Sequence, residues 1–536
     1  MIRGVASLVI PLSISLLSDG YQRPDTVYDA LEDLYTVNSG LGSSNFIAGV
    51  SPCSFAPANT RTTGRQAAAE WVRTAYHDMA TADVEAGTGG IDASITFETD
   101  RAENVGDAFN ASFNFFVGFQ NKRVSMSDLI ALGTVYAVRA CSGPSISYRA
   151  GRIDATGPGS KGVPEPQGDL ATHTASFAKQ GFNVSEMIGL VACGHTLGGV
   201  HEQDFSTIVQ GETNADNNTS GMQHFDDSFD SFDNHIAVQW MNSSTSTNTL
   251  ATGFNTTTNS DARIFAADGN ATMRDLASNN QVFQDRCAYL LSRMIHTVPK
   301  GVQLTDVITP IPVKPWLAQL SIDNNGKLQF EGYIRIFSTN KSQSPRDYAV
   351  NMTWTDHNGA ACDGCSATAR FPGLFSGSFW GAVALFHFNI TIDPSVGFSA
   401  FSVEYTNTPG GPLTKADNDG AGFPFDDVAV LHKSASCIAN DGSVKAVVAI
   451  RNDQKIMSAY IIATSAVKQA GSIARKLSTA FVNVTESGPS LSSLYTLYSA
   501  EFNVGLVENA SFDLVVETGG KTHITDFVRP NGFQSC

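Results

Sequence analysis

The spacing of apolar residues changes near residue 300, and this change limits what the 536-residue chain can fold into. Upstream, apolar residues at helix-like intervals predict helices over residues 65–79, 125–140, 184–192, 232–241 and 279–295. Downstream, short β-branched and aromatic runs between Gly, Asn, Asp and Pro predict strands over residues 328–337, 382–392, 401–405, 444–450 and 512–517. The sequence therefore predicts a multidomain protein in which a mainly α-helical domain precedes an all-β region.

Composition along the chain indicates the domain boundaries. A basic residue followed by an apolar run marks residues 1–20 as a signal peptide, and the helical domain then occupies residues 21–305. The proline-rich segment 309–315 is typical of a linker. Beyond it we expect two β-sandwich modules, at residues 316–410 and 424–536.

The β modules have two alternative roles at this point. They are either a structural lid or spacer on the helical domain, or an attachment to polysaccharide or cell wall through exposed aromatic side chains. The candidates for such contacts are Trp316, Trp354 and Trp380.

The charge of the chain and its processing signals point to the outside of the cell. A net charge of -17 and a pI near 5.0 exclude nucleic acids and anionic membranes as partners. Twelve Asn-x-Ser/Thr sequons and eight cysteines suit a glycosylated protein in an oxidising compartment. The apolar run at the start is too short to span a bilayer, and no other candidate span is present. We therefore expect a secreted, extracellular protein.

Two short motifs carry the chemistry. Arg73 and His77 stand one helical turn apart, and His195 follows on a second predicted helix. A histidine can move a proton between the two oxygens of a peroxide while an arginine stabilises the charge on the departing oxygen. Neither side chain can store oxidising equivalents, so this chemistry needs a redox cofactor, for which a haem held by a histidine is one solution. The alternative is that Arg73 and His77 are a surface pair and His195 is a core histidine.

Six motifs in the same order resemble the plant-type haem peroxidase superfamily, particularly its secreted fungal class II. They lie at residues 73–78 (R-x-x-x-H-D), 89–95, 103–106, 124–131, 148–155 and 163–166 (V-P-E-P), and the resemblance runs from about residue 66 to about 295. It implies that residues 21–305 are a haem peroxidase domain. Such a domain reduces hydrogen peroxide and oxidises phenolic or aromatic donors in one-electron steps at the haem edge. The alternative is a haem-binding cell-wall or adhesion protein that uses the peroxidase domain as a scaffold.

The resemblance also assigns roles to residues around haem b. Arg73 and His77 would be catalytic, and Asn104 would hold His77 in its tautomer. His195 would bind the haem iron, with Asp261 as its acceptor. Asp268 is the second candidate for that acceptor, and Asp261 is alternatively the N-cap of the following helix. The haem would also contact Tyr76, Phe225 and Pro164.

Two calcium ions are further implied by the resemblance. The distal calcium would be bound by Asp78, Gly90 through its carbonyl, Asp92 and Ser94. The proximal calcium would be bound by Thr196, Asp226, Ser228, Ser231 and Asp233. Manganese is not expected, because the positions of its carboxylates in some members are Gln66, Glu70 and His201 here.

The eight cysteines are expected to form three disulfides. The resemblance pairs Cys53 with Cys141. The motif Cys362-Asp-Gly-Cys365 favours a tight disulfide over zinc, since no second ligand pair is near in sequence. Cys437 and Cys536 would close the C-terminal module. The two others, Cys193 and Cys287, are expected to be free and buried.

Overall fold

The computed structural model describes residues 26–56, 64–210, 218–219, 221–242, 245–488, 490–505 and 509–536. The expected signal peptide lies outside the described residues. The α-helices are α1 Thr26–Thr36, α2 Ala67–Met79, α3 Ala108–Phe116, α4 Met126–Ala140, α5 Leu170–Lys179, α6 Val184–His195, α7 His235–Met241, α8 Thr249–Thr252, α9 Ser260–Phe265, α10 Ala271–Ser278 and α11 Asn280–His296. Within this part of the chain, no helix combines the length and apolar content needed to cross a bilayer.

Local capping explains where the functional helices begin. The side chain of Ser125 accepts a hydrogen bond from the backbone of Asp128 at the start of α4. Asn183 and Glu186 form a capping box at the start of α6. Both helices begin where the apolar spacing predicts, but α6 continues three residues past the predicted end and therefore includes His195.

The helices enclose one hydrophobic core that contains Trp71, Leu129, Ile188 and Leu290, each almost fully buried. Cys53 is bonded to Cys141, as expected. The expectation that Cys193 and Cys287 are free is wrong. They form a disulfide, because α6 and α11 pack side by side and bring the two Cα atoms to 5.5 Å.

Short strands accompany the helical region, and long strands make up the rest of the chain. The strands are β1 Ser39–Gly40, β2 Gly199–His201, β3 Asn218–Thr219, β4 Met222–His224, β5 Val313–Ile322, β6 Leu328–Ser338, β7 Ala349–Thr355, β8 Ala361–Ala369, β9 Ser376–Gly377, β10 Ala382–Ile392, β11 Ala400–Thr406, β12 Thr414–Ala416, β13 Phe423–Pro424, β14 Ala429–Leu431, β15 Cys437–Ile438, β16 Ser443–Arg451, β17 Ser458–Lys468, β18 Arg475–Asn483, β19 Thr485–Glu486, β20 Tyr495–Asn503, β21 Ser511–Thr518, β22 Lys521–Val528 and β23 Gln534–Ser535. The multidomain order of an α-helical domain followed by β structure is confirmed.

The β region has two hydrophobic cores over one shared sheet. An 11-stranded sheet has the path β1-β9-β10-β6-β5-β14-β16-β15-β23, with β20 beside β16 and β19 beside β20. One core lies between this sheet and the sheet β12-β11-β7-β8, and the other involves the sheet β18-β17-β21-β22. The proposed modules are therefore continuous through the parallel pairing of β5 with β14, which protects two strand edges that would otherwise be open.

The disulfides of the β region match the sequence predictions. Cys362 is bonded to Cys365, and Cys437 is bonded to Cys536.

The β region is packed directly against the helical domain. The expected linker 309–315 is not a free tether, because β5 begins at Val313 and Lys314 is only 2% exposed. Strand β1 pairs with β9, so the helical domain contributes a strand to the large sheet. The ring of Trp380 stacks on Tyr35 of α1 at 4.5 Å. Trp380 is therefore a contact between domains and is not a free surface aromatic.

Two other sequence expectations about surface residues are corrected by burial. Trp354 is 9% exposed and belongs to a β core, so it is unavailable to a polysaccharide. Asn509, one of the sequon asparagines, is 7% exposed and its side-chain amide donates to the carbonyls of Val117 and Gln120. A glycan on Asn509 is incompatible with these bonds in the folded chain.

Candidate active site

Helix α2 presents Arg73 and His77 on one face. The imidazole Nδ1 of His77 lies 2.8 Å from Oδ1 of Asn104, and the side-chain amide of Asn104 donates to the carbonyl of Glu98 at 3.0 Å. Because an amide oxygen can only accept, Nδ1 of His77 carries the proton and Nε2 keeps its lone pair. Asn104 therefore sets the tautomer that a proton acceptor at Nε2 requires.

The charge environment keeps this imidazole neutral. Burial and the neighbouring Arg73 guanidinium lower the pKa of His77 to about 3, against the opposing effect of the Asn104 hydrogen bond. Burial lowers the pKa of Arg73 to about 10, so its side chain is still charged at neutral pH. Arg73 donates to the carbonyl of Val105 at 3.0 Å and lies 4.6 Å above the ring of Phe109. The site thus combines a fixed positive charge with an uncharged base.

His195 occupies the last position of α6 and is oriented by a buried carboxylate. Its Nδ1 lies 2.8 Å from Oδ2 of Asp261, which also accepts from the side-chain amide of Asn248 at 2.7 Å. The ring of Phe225 stacks on the imidazole at 4.3 Å. Among the described residues no hydrogen-bond partner faces Nε2, and 31% of the side chain is exposed. Nε2 is therefore the atom available to a metal ion.

The alternatives for the acceptor are settled by the same contacts. Asp261 lies in the first turn of α9, and Asn259 occupies the N-cap position. Asp268 accepts from the backbone of Ala271 and Thr272 at the start of α10. The carboxylate that contacts His195 is that of Asp261.

Tyr76 directly precedes His77 on α2, and Pro164 lies in a loop that contacts α9. The half-buried ring of Tyr76 stacks on Phe177 of α5 at 5.9 Å, and burial raises the pKa of its phenol. The segment that contains Pro164 is fastened to α9, because the Arg263 side chain donates to the carbonyls of Pro166 and Gly168. The loop of Pro164 and the helix of Asp261 are thus held together.

Comparisons with known proteins bear on the family of the helical domain. The family model described as Peroxidase matches residues 56–280. The peroxisomal L-ascorbate peroxidase 5 of Arabidopsis thaliana is 33% identical over 141 residues, 26% of this chain and 50% of that protein. The mitochondrial cytochrome c peroxidase of Aspergillus fumigatus is 34% identical over 137 residues, 24% of this chain and 37% of that protein.

Residues 56–280 form a peroxidase domain of the plant-type haem peroxidase superfamily. A longer similarity includes the β region as well. A WSC domain-containing protein of Arthroderma benhamiae is 36% identical over 503 residues, which cover 92% of this chain and 65% of that relative. This chain therefore spans less than two thirds of that relative's length. The two peroxidases that match about a quarter of this chain are named peroxisomal and mitochondrial, whereas the motif resemblance indicated a secreted branch.

The peroxidase domain brings the expected distal calcium residues together around Asp78. Its two carboxylate oxygens accept from the backbone amides of Asp92, Ala93 and Ile95 at 2.8–3.1 Å. Asp92 in turn accepts from the backbone of Ser94 at 3.0 Å. Burial and the charge of Asp92 raise the pKa of Asp78, as expected for acidic groups crowded together.

Gly90 fits the same loop for a steric reason. Its φ is +111°, and a Cβ at this position would lie 2.5 Å from the carbonyl oxygen of Thr297. Only glycine avoids this clash, so the backbone path of the loop depends on it.

The expected proximal calcium residues also converge, and one of them has an unsatisfied oxygen. Oδ2 of Asp226 is buried and lacks a hydrogen-bond partner among the described residues. Burial and the charge of Asp233 raise the pKa of Asp226 to about 8. The Ser228 hydroxyl donates to Oδ1 of Asp233, and the Thr196 hydroxyl donates to the backbone carbonyl of Asp233. Ser231 is tied to the same turn through its backbone bond to Ser228.

Both sets contain few acidic side chains. Within the described part of the chain, no group of three or more His, Cys, Asp or Glu side chains converges as metal ligands. The proximal set has two carboxylates beside hydroxyl and carbonyl oxygens, a donor chemistry that fits a hard cation. The unpaired buried oxygen of Asp226 is the observation that favours a cation there.

Two residues of the site were missed by sequence reasoning. Asn248 donates to the carboxylate of Asp261, and no local motif identifies it because the two meet only through the packing of α8 on α9. His201 has a buried Nε2 without a partner among the described residues, and burial lowers its pKa to about 4. The positive charges of Arg65 and Arg73 also lower this pKa, although burial is the larger cause.

Two of the three positions that bind manganese in some members of the family, Gln66 and Glu70, make other contacts here. Arg65 binds Glu70 through two nitrogens, and the amide of Gln66 donates to the carbonyls of Cys53 and Phe229.

Proposed function

We propose that the chain is a secreted haem peroxidase that reduces hydrogen peroxide and oxidises small phenolic or aromatic donors by one-electron steps at the haem edge. The observation that carries the proposal is the pair of histidines on α2 and α6. Each is anchored through Nδ1, and neither Nε2 has a hydrogen-bond partner among the residues that the structure describes. One is paired with an arginine and suits proton transfer. The other is paired with a carboxylate and suits iron binding.

The residues present fit haem b. His195 would hold the iron through Nε2, Phe225 would limit the rotation of that ring, and Tyr76 and Pro164 would contact the porphyrin. The unpaired Nε2 of His201 would bind a haem carboxylate. When bound, the haem supplies the iron at which peroxide is reduced and stores the oxidising equivalents.

The distal side chains provide the proton transfer. Nε2 of His77 would take a proton from one oxygen of hydrogen peroxide and return it to the other oxygen, which would leave as water. The bound haem would supply the two electrons that this O–O cleavage requires. The Arg73 guanidinium stabilises negative charge on the departing oxygen. Asn104 keeps Nδ1 protonated, so Nε2 is free to act throughout.

The carboxylate of Asp261 acts on the other face. By accepting the Nδ1 proton of His195 it makes the imidazole a stronger electron donor to a metal at Nε2. Asn248 shares the same carboxylate oxygen and fixes its direction.

A direct test combines a spectrum with turnover. Hemin-loaded chain should show a Soret band and should oxidise the dye ABTS only when peroxide is present. A haem spectrum without turnover would instead favour a haem-binding scaffold of the cell wall.

The pH dependence should follow from the low pKa of His77. The neutral imidazole is the proton acceptor, so the peroxide cleavage rate should be constant from about pH 4 to neutrality and fall about tenfold per unit below the pKa. In Arg73→Leu one of the two causes of the low pKa is removed, so the pH at which the rate begins to fall, here called the break, should be higher. Stopped-flow measurement of the cleavage rate across this pH range gives the break for the parent chain and for the variant. A break above about pH 5 in the parent chain, or an unmoved break in the variant, would contradict the assignment.

We propose that calcium binds both sets of oxygen ligands. The distal set is Asp78, Gly90, Asp92 and Ser94. The proximal set is Thr196, Asp226, Ser228, Ser231 and Asp233. Chelation should lower the unfolding temperature, since a ligand at 100–1,000 times its Kd contributes about 3–4 kcal/mol. Asp226→Asn should remove the share of this calcium dependence that comes from the proximal site and leave the share of the distal site. Asp227→Asn is the matched control, because Asp227 is 58% exposed and contacts His235 instead. Equal responses to calcium in the two variants would exclude a proximal site at Asp226.

Extracellular location is supported by four disulfides in the described residues. The apolar start of the chain and the exposed sequons favour the same route.

A further inference from the structure

The turn between β17 and β18, residues 469–474, packs against the peroxidase domain. The backbone amide of Ile473 donates to the carbonyl of Thr96 at 3.0 Å, and the Ser472 hydroxyl donates to the Thr96 hydroxyl at 3.0 Å. Ala474 is 8% exposed and belongs to the core of the peroxidase domain. A β hairpin more than 370 residues downstream thus completes the surroundings of Thr96.

Thr96 belongs to the loop that supports the distal histidine. Its hydroxyl donates to the carbonyl of Ala93 at 2.7 Å, and the amides of Ala93 and Ile95 bind the carboxylate of Asp78, the residue after His77. Two residues beyond Thr96, the carbonyl of Glu98 accepts from Asn104. The loop therefore holds His77 from both sides, through Asp78 and through Asn104.

The attachment of the β region does not depend on this turn. Lys314 and Arg335 bind the carboxylate of Glu32 on α1, and Lys122 binds Asp513 on β21 and Asp526 on β22. Because these contacts hold the domains together elsewhere, the turn can be altered without separating them. Its contact with Thr96 is thus separable from domain docking.

We propose that residues 469–474 are a positioning element of the distal pocket, which fixes the loop 93–98 and thereby the orientation of Asn104 and His77. This inference rests on the proposed peroxidase function for its catalytic consequence. Its structural part, the ordering of the loop by the hairpin, does not require haem or turnover.

The decisive variant replaces residues 469–474 by Asn-Gly in the full chain. A two-residue turn of this type closes a hairpin between Lys468 and Arg475, which already face each other, so β17 and β18 are retained. Ile473→Asp is a smaller second change. Val467→Asp is its matched control, because it adds the same charge to the same hairpin at a 41% exposed side chain.

Amide hydrogen exchange of the hemin-free chain is the first readout. Both the shortened hairpin and Ile473→Asp should accelerate exchange in residues 93–104 roughly 2- to 30-fold, the range expected for coupled neighbouring elements, while Val467→Asp leaves it unchanged. In hemin-loaded protein the peroxide cleavage rate should fall over a similar range, with no change in KM for ABTS. A shortened hairpin with parental exchange in residues 93–104 would overturn the inference.

The two proposals fail in different ways. If the parent chain shows no peroxidase activity but the exchange of residues 93–104 depends on the hairpin, the proposed function fails and the structural coupling stands. If the shortened hairpin changes neither exchange nor the cleavage rate in an active parent, the coupling fails and the peroxidase function stands.

Discussion

Replacing His77 by leucine is expected to slow peroxide cleavage by roughly 10²–10⁴-fold, the usual contribution of a positioned acid–base group. Leucine fills similar space on α2 but can neither accept nor return a proton. The bond from Asn104 also loses its partner, whereas the contacts of His195 on α6 are untouched. Haem binding should therefore persist while the rate falls.

Stopped-flow absorbance after mixing with peroxide measures the rate, and a hemin titration measures binding. His235→Leu is the matched control, since its imidazole lies on the surface of α7 with 48% of the side chain exposed. It should react at the parental rate. Parental cleavage by His77→Leu would show that another group moves the proton.

Removing the charge of Arg335 is expected to destabilise the whole chain by about 3–5 kcal/mol, the cost of breaking a buried ion pair. Arg335 and Glu32 are both fully buried and bind each other across the boundary between α1 and β6. Burial alone would raise the pKa of Glu32, but Lys314 and Arg335 lower it to about 2. In Arg335→Met the carboxylate keeps only Lys314 and neutral donors, so folding must bury a poorly compensated charge.

Denaturant unfolding of the full chain measures this effect. The control is Lys327→Met, which breaks an ion pair with Asp393 whose side chains are 44% and 49% exposed, and should change stability by about 0–1 kcal/mol. The pair Glu32→Leu with Arg335→Met should recover part of the loss, because no buried charge is left unpaired. Equal stability of Arg335→Met and the parent would exclude the buried pair as the contact that fastens the two regions.

Part of the geometry of the candidate site could be predicted from the sequence, because it is local or is carried by short motifs. Arg73 and His77 share a helix face by spacing alone. Asp128 and Arg152 lie in two of the motifs and meet as a fully buried ion pair. The motifs located both residues in the sequence, but the ion pair between them is known only from the structure.

The contacts between distant segments could not be predicted in this way. Glu32 and Arg335 are 303 residues apart, and neither belongs to a recognisable motif. The pairing of β5 with β14 depends on which strand edges meet, and hydrophobic alternation carries no information about that. The bond between Cys193 and Cys287 likewise follows from the packing of α6 on α11, which helix spacing alone does not specify.

The most direct test of the account is a hemin titration of the parent chain and of His195→Gly, followed by absorbance with and without added imidazole. The parent should bind one hemin per chain and show a Soret band. His195→Gly should lose the parental spectrum and regain it when imidazole fills the site beside Asp261. A parent chain that takes up no hemin, or a variant with the parental spectrum in the absence of imidazole, would contradict the assignment of His195 as the iron ligand.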